Sequence, residues 1–514
     1  MSRHRFNLVA IAVAVAAGCA GCAVTSVYQR PGPLGVGAMP TTFSETRAVT
    51  NTGTWKPAEP SAHQPRDAWW AKFNDAELNR LQTLATTNNQ SLAAAYARFR
   101  QARALLDVSR SDLYPHVTVN PAANRQRTSA NAFERNGVPA AFNYSTFNLA
   151  LNSSWELDLW GRVRQQVEGS QARLAAAADD LESARLAVLA EIATDYFTLH
   201  SLDMEHALLE QTLATYRRSL ELTENRRKGG IATELDVAQA QTQLRRAEAE
   251  LPAIELQRAK LRHALATLCG LPAVGFAVAS VPGAAVTAPP VPPFVPSELL
   301  ERRPDIAAAE RRMAAANADI GVAQTAFYPR VTLAGTAGLQ SVNLGSLFDW
   351  PSRLWAIGPN VEVPLLPFSR LRGQRAAAVA GYDATVANYR QTVLTAFQEV
   401  EDQLATQRQL TAQIESVQAA LTAARRSLEI ANHRYQAGLV TYLEVAAAQN
   451  AALALERNVV RLSAEALLAN VALIKAAGGG WEAPSVKPVK VPPPESGTRS
   501  VTDGKNEPAM KPSR

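Results

Sequence analysis

The sequence has few cysteines, few aromatic residues and no long hydrophobic run. Three Cys in 514 residues exclude a disulfide-stapled scaffold. Aromatic residues make up 6% and charged residues 19% of the chain, whereas hydrophobic residues, with alanine prominent, reach 47%. Small apolar residues favour long, closely packed helices over a core of bulky side chains. No stretch of 18 consecutive apolar residues occurs, so no transmembrane helix is expected.

The net charge of +6 could indicate nucleic-acid binding, but its distribution argues against this interpretation. Residues 1–21 contribute +2 and residues 481–514 contribute another +2, which leaves only +2 for the body of the chain. Residues 484–514 are rich in Pro, Lys and Ser, a composition that predicts a disordered tail.

The first 21 residues are predicted to be an export signal. Arg3 and Arg5 form a positive segment, and Phe6–Ala17 form an apolar segment of 12 residues. That length is too short to cross a bilayer as a helix and is typical of a cleaved signal peptide.

Two cysteines follow the apolar segment. Small residues before a Cys resemble a bacterial lipoprotein cleavage site, where the Cys thiol is acylated and becomes the new N-terminus. Ala16–Gly18 suit Cys19 locally, and Cys22 is the other candidate; an ordinary cleaved signal with incidental cysteines is the alternative. Ala23 after Cys22 favours sorting to the outer membrane. Cys269 is predicted to be a lone, buried thiol.

The body of the chain contains an internal duplication. Tyr114–Val119 recurs as Tyr328–Leu333 at an offset of 214, and Leu213–Gln241 recurs as Leu421–Gln449 at an offset of 208. In the second pair of segments 14 of 29 positions are identical. Short repeats of 20–50 residues indicate solenoids, so a period near 210 indicates a duplicated structural unit.

Each unit is predicted to contain two strands with alternating hydrophobicity. Phe147–Leu159 alternates over 13 residues, with residues 355–365 as its counterpart, and weaker alternation follows the Tyr-Pro pairs in residues 116–120 and 330–340. Such segments suit membrane strands of about 9–11 residues, but a soluble sheet with one wet face alternates identically. Four tryptophans lie near the strand ends, where an interfacial belt would place them: Trp155, Trp160, Trp350 and Trp355.

Four strands are too few to close a barrel, because the smallest filled barrels use about eight. An open sheet in lipid would leave unsatisfied backbone groups, each costing several kcal/mol. If the strands lie in a membrane, several chains must therefore share one barrel, and three chains would provide twelve strands.

The remainder of each unit is predicted to be a long helical hairpin. Proline is absent between Trp160 and Leu251 and from Phe368 to Ala483, and apolar residues step by four and three as in coiled coils. The predicted segments are Arg162 to about Arg227 and Glu234 to about Leu268 in the first unit, and about Arg370 to the turn at Ala437–Thr441 and on to about Ala476 in the second.

The hairpin turns repeat the same residue types. Gly230 and Gly438 suit the left-handed position that ends a helix, and Thr233 and Thr441 suit the N-cap of the return helix. Ile231 and Leu439 add an apolar residue to each exposed tip. The turns could be simple connections, but their repetition at the end of a roughly 100 Å hairpin predicts a docking surface for a partner.

One segment carries a family resemblance. Pro296–Ile306, followed by Ala309–Arg312, resembles the signature of outer-membrane efflux proteins of the TolC/OprM type, in the lipoprotein branch that serves RND pumps. Further matches are Cys22–Val24 with Tyr28 and Pro31, Trp69–Trp70 with Phe73, Asp75 and Leu78, both Tyr-Pro pairs, and Trp155–Arg162. The resemblance covers about Cys22 to Ala477. In that branch the acylated Cys lies six residues before the Tyr, a spacing that selects Cys22 over Cys19.

The resemblance implies a membrane α+β fold in a homotrimer. Twelve strands, four from each chain, would form one outer-membrane barrel, which continues as a periplasmic α-helical barrel with an equatorial belt. The implied function is the passive exit duct of a tripartite multidrug efflux system in a Gram-negative bacterium. An inner-membrane RND pump supplies the energy, and a periplasmic adaptor meets the hairpin tips. No enzyme activity and no cofactor, apart from the covalent lipid, are implied.

The resemblance also implies site residues near the tips. Gly230, Ile231 and Thr233, with Gly438, Leu439 and Thr441, are the implied adaptor-docking residues. The first turn departs from the family pattern because Gly229–Gly230 replaces a single Gly, and it is expected to be looser. Gate residues in this family lie near the tips, where this chain has Arg226, Arg227, Lys228, Arg434 and Tyr435.

The expected organisation along the chain follows from these observations. It is a signal at 1–21, an N-terminal segment with belt and first helices at 22–113, strands at 114–159, a hairpin at 160–270, a Pro-rich connector at 271–304, a helix at 305–327, strands at 328–366, a hairpin at 367–477 and a C-terminal belt and tail at 478–514.

No catalytic motif competes with this interpretation. His200 and His206 are six residues apart rather than at the i, i+4 spacing of a helical zinc site, and neither a P-loop nor a nucleophile elbow is present. Two other functions remain open. One is a type I secretion duct of the same architecture, and the other is a periplasmic coiled-coil spacer, which would not need membrane strands.

Overall fold

The structure is a computed structural model that describes residues 27–34, 43–44, 68–131, 134–135, 138–139, 141–279, 289, 299–300, 302–366 and 368–479. The chain divides into two units, Met1–Trp481 and Glu482–Arg514, and every described residue belongs to the first. The predicted signal, its candidate lipidation residues Cys19 and Cys22, and the predicted tail lie outside the described residues and stay predictions.

The strands form one antiparallel four-stranded sheet and one small hairpin. Their bounds are β1 His116–Arg127, β2 Glu134–Arg135, β3 Val138–Pro139, β4 Asn143–Glu156, β5 Arg330–Ser341 and β6 Arg353–Glu362. The sheet order is β1-β4-β5-β6, so that each predicted unit contributes two neighbouring strands, while β2 pairs with β3 in the β1–β4 connection.

Two strand boundaries differ from the expectation. β4 ends at Glu156 rather than Leu159, because the Asp158 carboxylate turns to accept hydrogen bonds from the backbone N–H groups of Val163 and Arg164, both at 3.0 Å. β1 runs to Arg127, well beyond the alternating residues 116–120. It contains Pro121, a residue found mainly in edge strands, and β4 is its one partner strand among the described residues.

The register places the apolar residues on one face of the sheet. Directly opposite residues in an antiparallel pair point to the same face. Every residue pair of the four-stranded sheet joins two odd or two even positions. The odd face is mainly apolar and includes Val117, Val119, Leu149, Leu151, Trp155, Val331, Leu333, Leu339, Trp355, Ile357 and Val361. The even face is mainly polar and includes Thr118, Asn120, Asn148, Asn152, Glu156, Arg330, Thr332, Thr336, Asn360 and Glu362.

Seven α-helices are described, and four of them form two long hairpins. Their bounds are α1 Ala76–Asn88, α2 Gln90–Ser111, α3 Arg162–Lys228, α4 Glu234–Leu268, α5 Pro304–Thr325, α6 Phe368–Gln436 and α7 Tyr442–Ala476. The ends of α3, α4, α6 and α7 lie within two residues of those expected from the sequence. With 67 residues, α3 is about 100 Å long. No described helix has both the length and the apolar character needed to cross a membrane.

The helices continue the order of the strands. α2 packs on α3, α3 on α5 and α5 on α6, which is the order of the strands that these helices precede or follow. Farther from the sheet, α4 packs on α3, while α7 packs on α3 and α6. The described helices of the first unit therefore form one layer below the sheet, called the helical wall here.

The largest apolar core lies where the short N-terminal helices meet this wall. It joins α1 and the preceding 3-10 turn, Trp69–Phe73, to α3, α4 and α7. Cys269 is a free, fully buried thiol in this core, as predicted. Burial raises its pKa to about 11, so the protonated, unreactive thiol dominates at neutral pH.

Candidate functional site at the hairpin tips

Both hairpins turn through the same backbone motif. Gly230 has a φ of +75°, and its N–H donates to the carbonyl of Arg227 at 2.9 Å while the N–H of Ile231 donates to the carbonyl of Arg226 at 2.9 Å. This pair of bonds is the Schellman motif, in which glycine takes the left-handed position at no steric cost. Gly438, with a φ of +77°, closes the same pair of bonds in the second hairpin.

The additional glycine of the first turn does not change this geometry. Gly229 has an ordinary φ of −80° and caps α3, in the place that Ala437 takes at the end of α6. The expected looseness of the first turn is therefore not visible in its hydrogen bonds.

The two return helices begin differently. Thr233 forms a capping box with Asp236: its hydroxyl accepts from the Asp236 N–H, and the Asp236 carboxylate accepts from the Thr233 N–H at 2.9 Å. Thr441 takes the N-cap position of α7 without a side-chain bond. The other carboxylate oxygen of Asp236 accepts from the N–H of Tyr442 at 3.3 Å, so a residue of the first hairpin also caps the helix of the second.

Equivalent positions carry different chemistry in the two hairpins. In the first, Arg227 and Glu234 form an exposed ion pair at 2.8 Å. At an offset of 208, the same positions hold Tyr435 and Tyr442, whose rings meet edge to face at 5.8 Å between centroids and are almost fully buried. The second hairpin thus inserts an aromatic pair against the first, since both rings pack with Ala240 of α4.

Arg226 covers this aromatic pair. Its guanidinium lies 4.7 Å from the centre of the Tyr435 ring and donates to the carbonyl of Gln436 at 3.2 Å. The hydroxyl groups of Tyr435 and Thr223 are 3.2 Å apart. Arg226 and Tyr435 therefore lie together at the contact between the hairpins.

Arg434, the repeat equivalent of Arg226, is exposed and pairs with Glu444 at 3.7 Å. Of the five gate candidates, Arg227, Lys228 and Arg434 lie on the surface. Arg226 bridges the hairpins, and Tyr435 is buried between them.

Acidic and apolar groups complete the tips. Burial acts to raise the pKa of Asp236, but the hydrogen bonds from Thr233 and Tyr442 and the nearby Arg226 charge outweigh it and hold that pKa below its usual value. Ile231 and Leu439 are 68% and 70% exposed. Exposed Leu235 and Leu443 extend these apolar tips; sequence reasoning missed them, although their identity in both repeats was a signal.

A second set of contacts, farther from the tips, was not predicted. Gln243 of α4 bonds to Asn450 of α7, and Arg457 of α7 pairs with Glu205 of α3 and, at 2.6 Å, with Glu250 of α4. The repeat gave no signal here, because the residue equivalent to Arg457 is Ala249. Among the described residues, no group of three or more His, Cys, Asp or Glu could hold a metal ion.

Comparison with known proteins identifies the family to which this architecture belongs. Residues 81–271 and 295–479 match the family model described as outer membrane efflux protein. The chain is 33% identical to outer membrane protein OprJ of Pseudomonas aeruginosa over 483 residues, 94% of this chain and 97% of OprJ. It is also 33% identical to the toluene efflux pump outer membrane protein TtgF of Pseudomonas putida, over 93% of this chain and 98% of TtgF.

The fold of the chain also matches that of solved outer-membrane channels. The solved outer-membrane channel OprN superposes with a TM-score of 0.79 at 30% identity, covering 88% of this chain and 98% of OprN. The resemblance noted from Pro296–Ile306 and the fold class expected from it are therefore confirmed, and the chain belongs to the outer membrane efflux protein family.

Proposed function

We propose that this outer-membrane efflux channel is the homotrimeric exit duct of a tripartite RND-type multidrug system, lipid-anchored in a Gram-negative outer membrane. The observation that carries the proposal is the sheet, which has an apolar odd face, a polar even face and two edge strands that pair on their outer side with no other described strand. An apolar outside and a polar inside are what a water-filled membrane barrel requires.

Closure of a barrel by identical copies of the chain would pair the backbone groups of the two edge strands. β1 and β6 are the outermost strands of the sheet, and each presents a row of backbone groups that has no partner strand among the described residues. In lipid every such group must be satisfied, at a cost of several kcal/mol otherwise. Because β1 and β6 run in opposite directions, β6 of one copy pairs antiparallel with β1 of the next, and three copies close a barrel of twelve strands.

The hairpin tips are the proposed contact with a periplasmic adaptor. Ile231 and Leu439 project from two turns of identical backbone, so a trimer presents six similar apolar knobs. Gly230 and Gly438 fix these turns, while Thr233 and Thr441 start the return helices behind them. An adaptor hairpin with small apolar residues at its end fits such a surface.

The same tips are the proposed periplasmic gate. Exposed Arg227 and Arg434 are the candidates that face the passage. Arg226 and Tyr435 act as positioning residues, because they hold the first hairpin against the second. Separation of the hairpins then requires that these contacts break.

The proposed lipid anchor is Cys22, with Cys19 as the alternative. Support comes from residues that follow it. Arg30 pairs with buried Glu310 of α5 at 3.2 Å and donates to the Tyr389 hydroxyl of α6 at 3.2 Å. The chain that follows the candidate cysteines is thus fastened to the helical wall.

The decisive experiment is photo-cross-linking in living cells from residues 231 and 439. The matched control is residue 256, because Leu256 of α4 is similarly exposed at 56% but lies about 33 Å from the turn. We expect an adaptor adduct from both tips and none from the control, together with a heat-resistant trimer that conducts ions in planar bilayers. A soluble periplasmic monomer contradicts the proposal, and a trapped ABC-transporter adaptor indicates the type I secretion duct instead.

A further inference from the structure

Three arginines lie on the apolar face of the sheet, at the end far from the helices. Arg125 and Arg127 end β1, and Arg353 begins β6. Their odd positions place them on the face of Leu151 and Trp355, as their direct partners confirm. All three are exposed, and none forms an ion pair with any described residue. On the lipid-facing side of a membrane barrel, charged side chains are destabilising, strongly at the midplane and little near the interface. The presence of three arginines on this otherwise apolar face therefore requires an explanation.

Their position suits the outer edge of the membrane. From Arg353 to Val361 the odd residues of β6 read Arg, Trp, Ile, Pro and Val, over about 26 Å of strand. The guanidinium of Arg353 lies 3.3 Å from the centre of the Trp350 ring. Trp350 and Trp355 are 74% and 77% exposed. Going from the lipid headgroups into the hydrocarbon, a membrane strand typically shows a cationic residue, then aromatic residues, then apolar residues. The odd residues of β6 follow this order.

The internal repeat indicates which residues meet at the seam between copies. β4 ends six residues before α3, and β6 ends six residues before α6, so β6 should pair with β1 of the next copy as β4 pairs with β5. Glu156 is opposite Thr332. The equivalent pair is Glu362 with Thr118 of the partner subunit, and the same antiparallel register places Arg353 opposite Arg127 of the partner subunit and Trp355 opposite Arg125 of the partner subunit.

Like charges placed directly opposite each other on a sheet destabilise it unless an anion lies between them. Arginine guanidinium groups match phosphate oxygens with two parallel hydrogen bonds. The seam between β6 of one copy and β1 of the next therefore combines positive charge, guanidinium hydrogen-bond donors and neighbouring tryptophan rings. These are the groups that a phosphorylated amphiphile requires.

We propose that Arg353 of each copy, with Arg125 and Arg127 of the partner subunit, forms a binding site for the phosphate groups of lipid A, the anionic lipid of the outer leaflet. The trimer has three such sites, each incomplete without two copies, and the lipid bridges the copies at the outer rim. This inference rests on the trimeric barrel proposed above.

The test uses the full-length trimer, freed of lipid in detergent and titrated with lipid A while native mass spectrometry counts the molecules retained. One variant is Arg125→Gln/Arg127→Gln/Arg353→Gln. The matched control is Arg370→Gln/Arg372→Gln/Arg375→Gln, which removes three exposed arginines at the opposite end of the sheet that are also unpaired with any described residue. Dephosphorylated lipid A separates phosphate recognition from acyl-chain adsorption, and inorganic phosphate tests for an adventitious anion.

We expect up to three lipid A molecules on the wild-type trimer and on the control, and at least about tenfold weaker binding to the first variant, the loss expected for one charge-assisted hydrogen bond. Arg353→Gln alone and Arg125→Gln/Arg127→Gln should each weaken it, because the site is composite. Equal binding of dephosphorylated lipid A, or full competition by millimolar inorganic phosphate, overturns the proposal. So does unchanged binding to a variant that still forms conducting trimers; absence of trimers in the wild type would instead refute the proposed function.

Discussion

Gly229 and Gly230 are adjacent, yet a methyl group is expected to have opposite effects at the two positions. At Gly229 a Cβ would meet only ordinary contacts, the nearest at 3.5 Å, and the backbone is compatible with alanine. Gly229→Ala should therefore stabilise the tip by about 0.4–1 kcal/mol through the unfolded state. Gly230→Ala places a side chain at a φ of +75° and should cost about 1–2 kcal/mol.

Hydrogen exchange of the amides in residues 225–236, followed by mass spectrometry, measures both effects. Ala437 already occupies the equivalent of Gly229, so the second tip provides an internal reference in the same molecule. Faster exchange in Gly229→Ala would contradict the prediction.

Asp236 is expected to make the tip sensitive to acid. Its pKa is below the ordinary value of 3.8, so its stabilising contribution is complete above that value and is lost as the pH falls through the lowered folded-state pKa. Asp236→Asn should therefore weaken protection of the Thr233 and Tyr442 amides at pH 7, and the difference from the wild type should disappear as the pH falls below 3.8 and the carboxylate becomes protonated. Exchange corrected for intrinsic rates measures it, and a constant difference across this range would exclude the carboxylate charge as the cause.

At the level of the strands, Gly338 should be indispensable for the β4–β5 pairing. A Cβ there would lie 2.3 Å from the Leu149 carbonyl oxygen and 2.7 Å from the Ala150 Cα, both backbone atoms that cannot rotate away. Gly338→Ala should cost about 1–3 kcal/mol, as overpacking does, and lower the temperature at which the trimer dissociates on gels. Gly335→Ala, on the same strand with its nearest contact at 3.9 Å, is the matched control and should leave that temperature almost unchanged.

The two faces of β4 should respond oppositely to charge. Leu151→Arg places a cation on the apolar face and should cost about 2–4 kcal/mol at the membrane midplane. Asn152→Arg changes the adjacent residue on the polar face and should cost only about 1 kcal/mol, because it loses the hydrogen bond from Thr336 at 2.9 Å. Urea unfolding in lipid vesicles measures both, and a harmless Leu151→Arg is the outcome expected for a periplasmic spacer.

The periodicity of the sequence predicted which segments are helices and strands, but it was less accurate for the ends of these elements and for the contacts between them. Alternation from Phe147 and the absence of proline after Trp160 located β4 and α3, because both signals are local. The end of β4 at Glu156 depends on the Asp158 cap, and the extension of β1 to Arg127 follows from its pairing with β4 rather than from alternation. The contacts of Arg457 join α7 to α3 and α4 across separations of 252 and 207 residues, so no local spacing could reveal them.

For the whole molecule, duplication explains the plan and divergence explains the tips. Two copies of one unit provide the four-stranded sheet and the helical wall, in which helices pack in the same order as the strands. Gly230 and Gly438 form the same turn in both hairpins. The positions that hold Arg227 and Glu234 in the first unit hold Tyr435 and Tyr442 in the second, so a solvated ion pair in one hairpin corresponds to a buried aromatic contact in the other. The hairpins are thus alike where a partner would bind and unlike where they hold each other.

That divergence leads to a prediction about conduction. Tyr435→Ala should loosen the second hairpin from the first, since removal of a buried aromatic ring costs about 3–5 kcal/mol and also releases the Arg226 guanidinium. The trimer should then show higher single-channel conductance in planar bilayers. Tyr435→Phe removes only the contact with the Thr223 hydroxyl and should raise the conductance less. His433→Ala, two residues away and 73% exposed, should leave it unchanged. Unaltered conductance of intact Tyr435→Ala trimers would contradict the prediction and show that the passage is narrowed elsewhere.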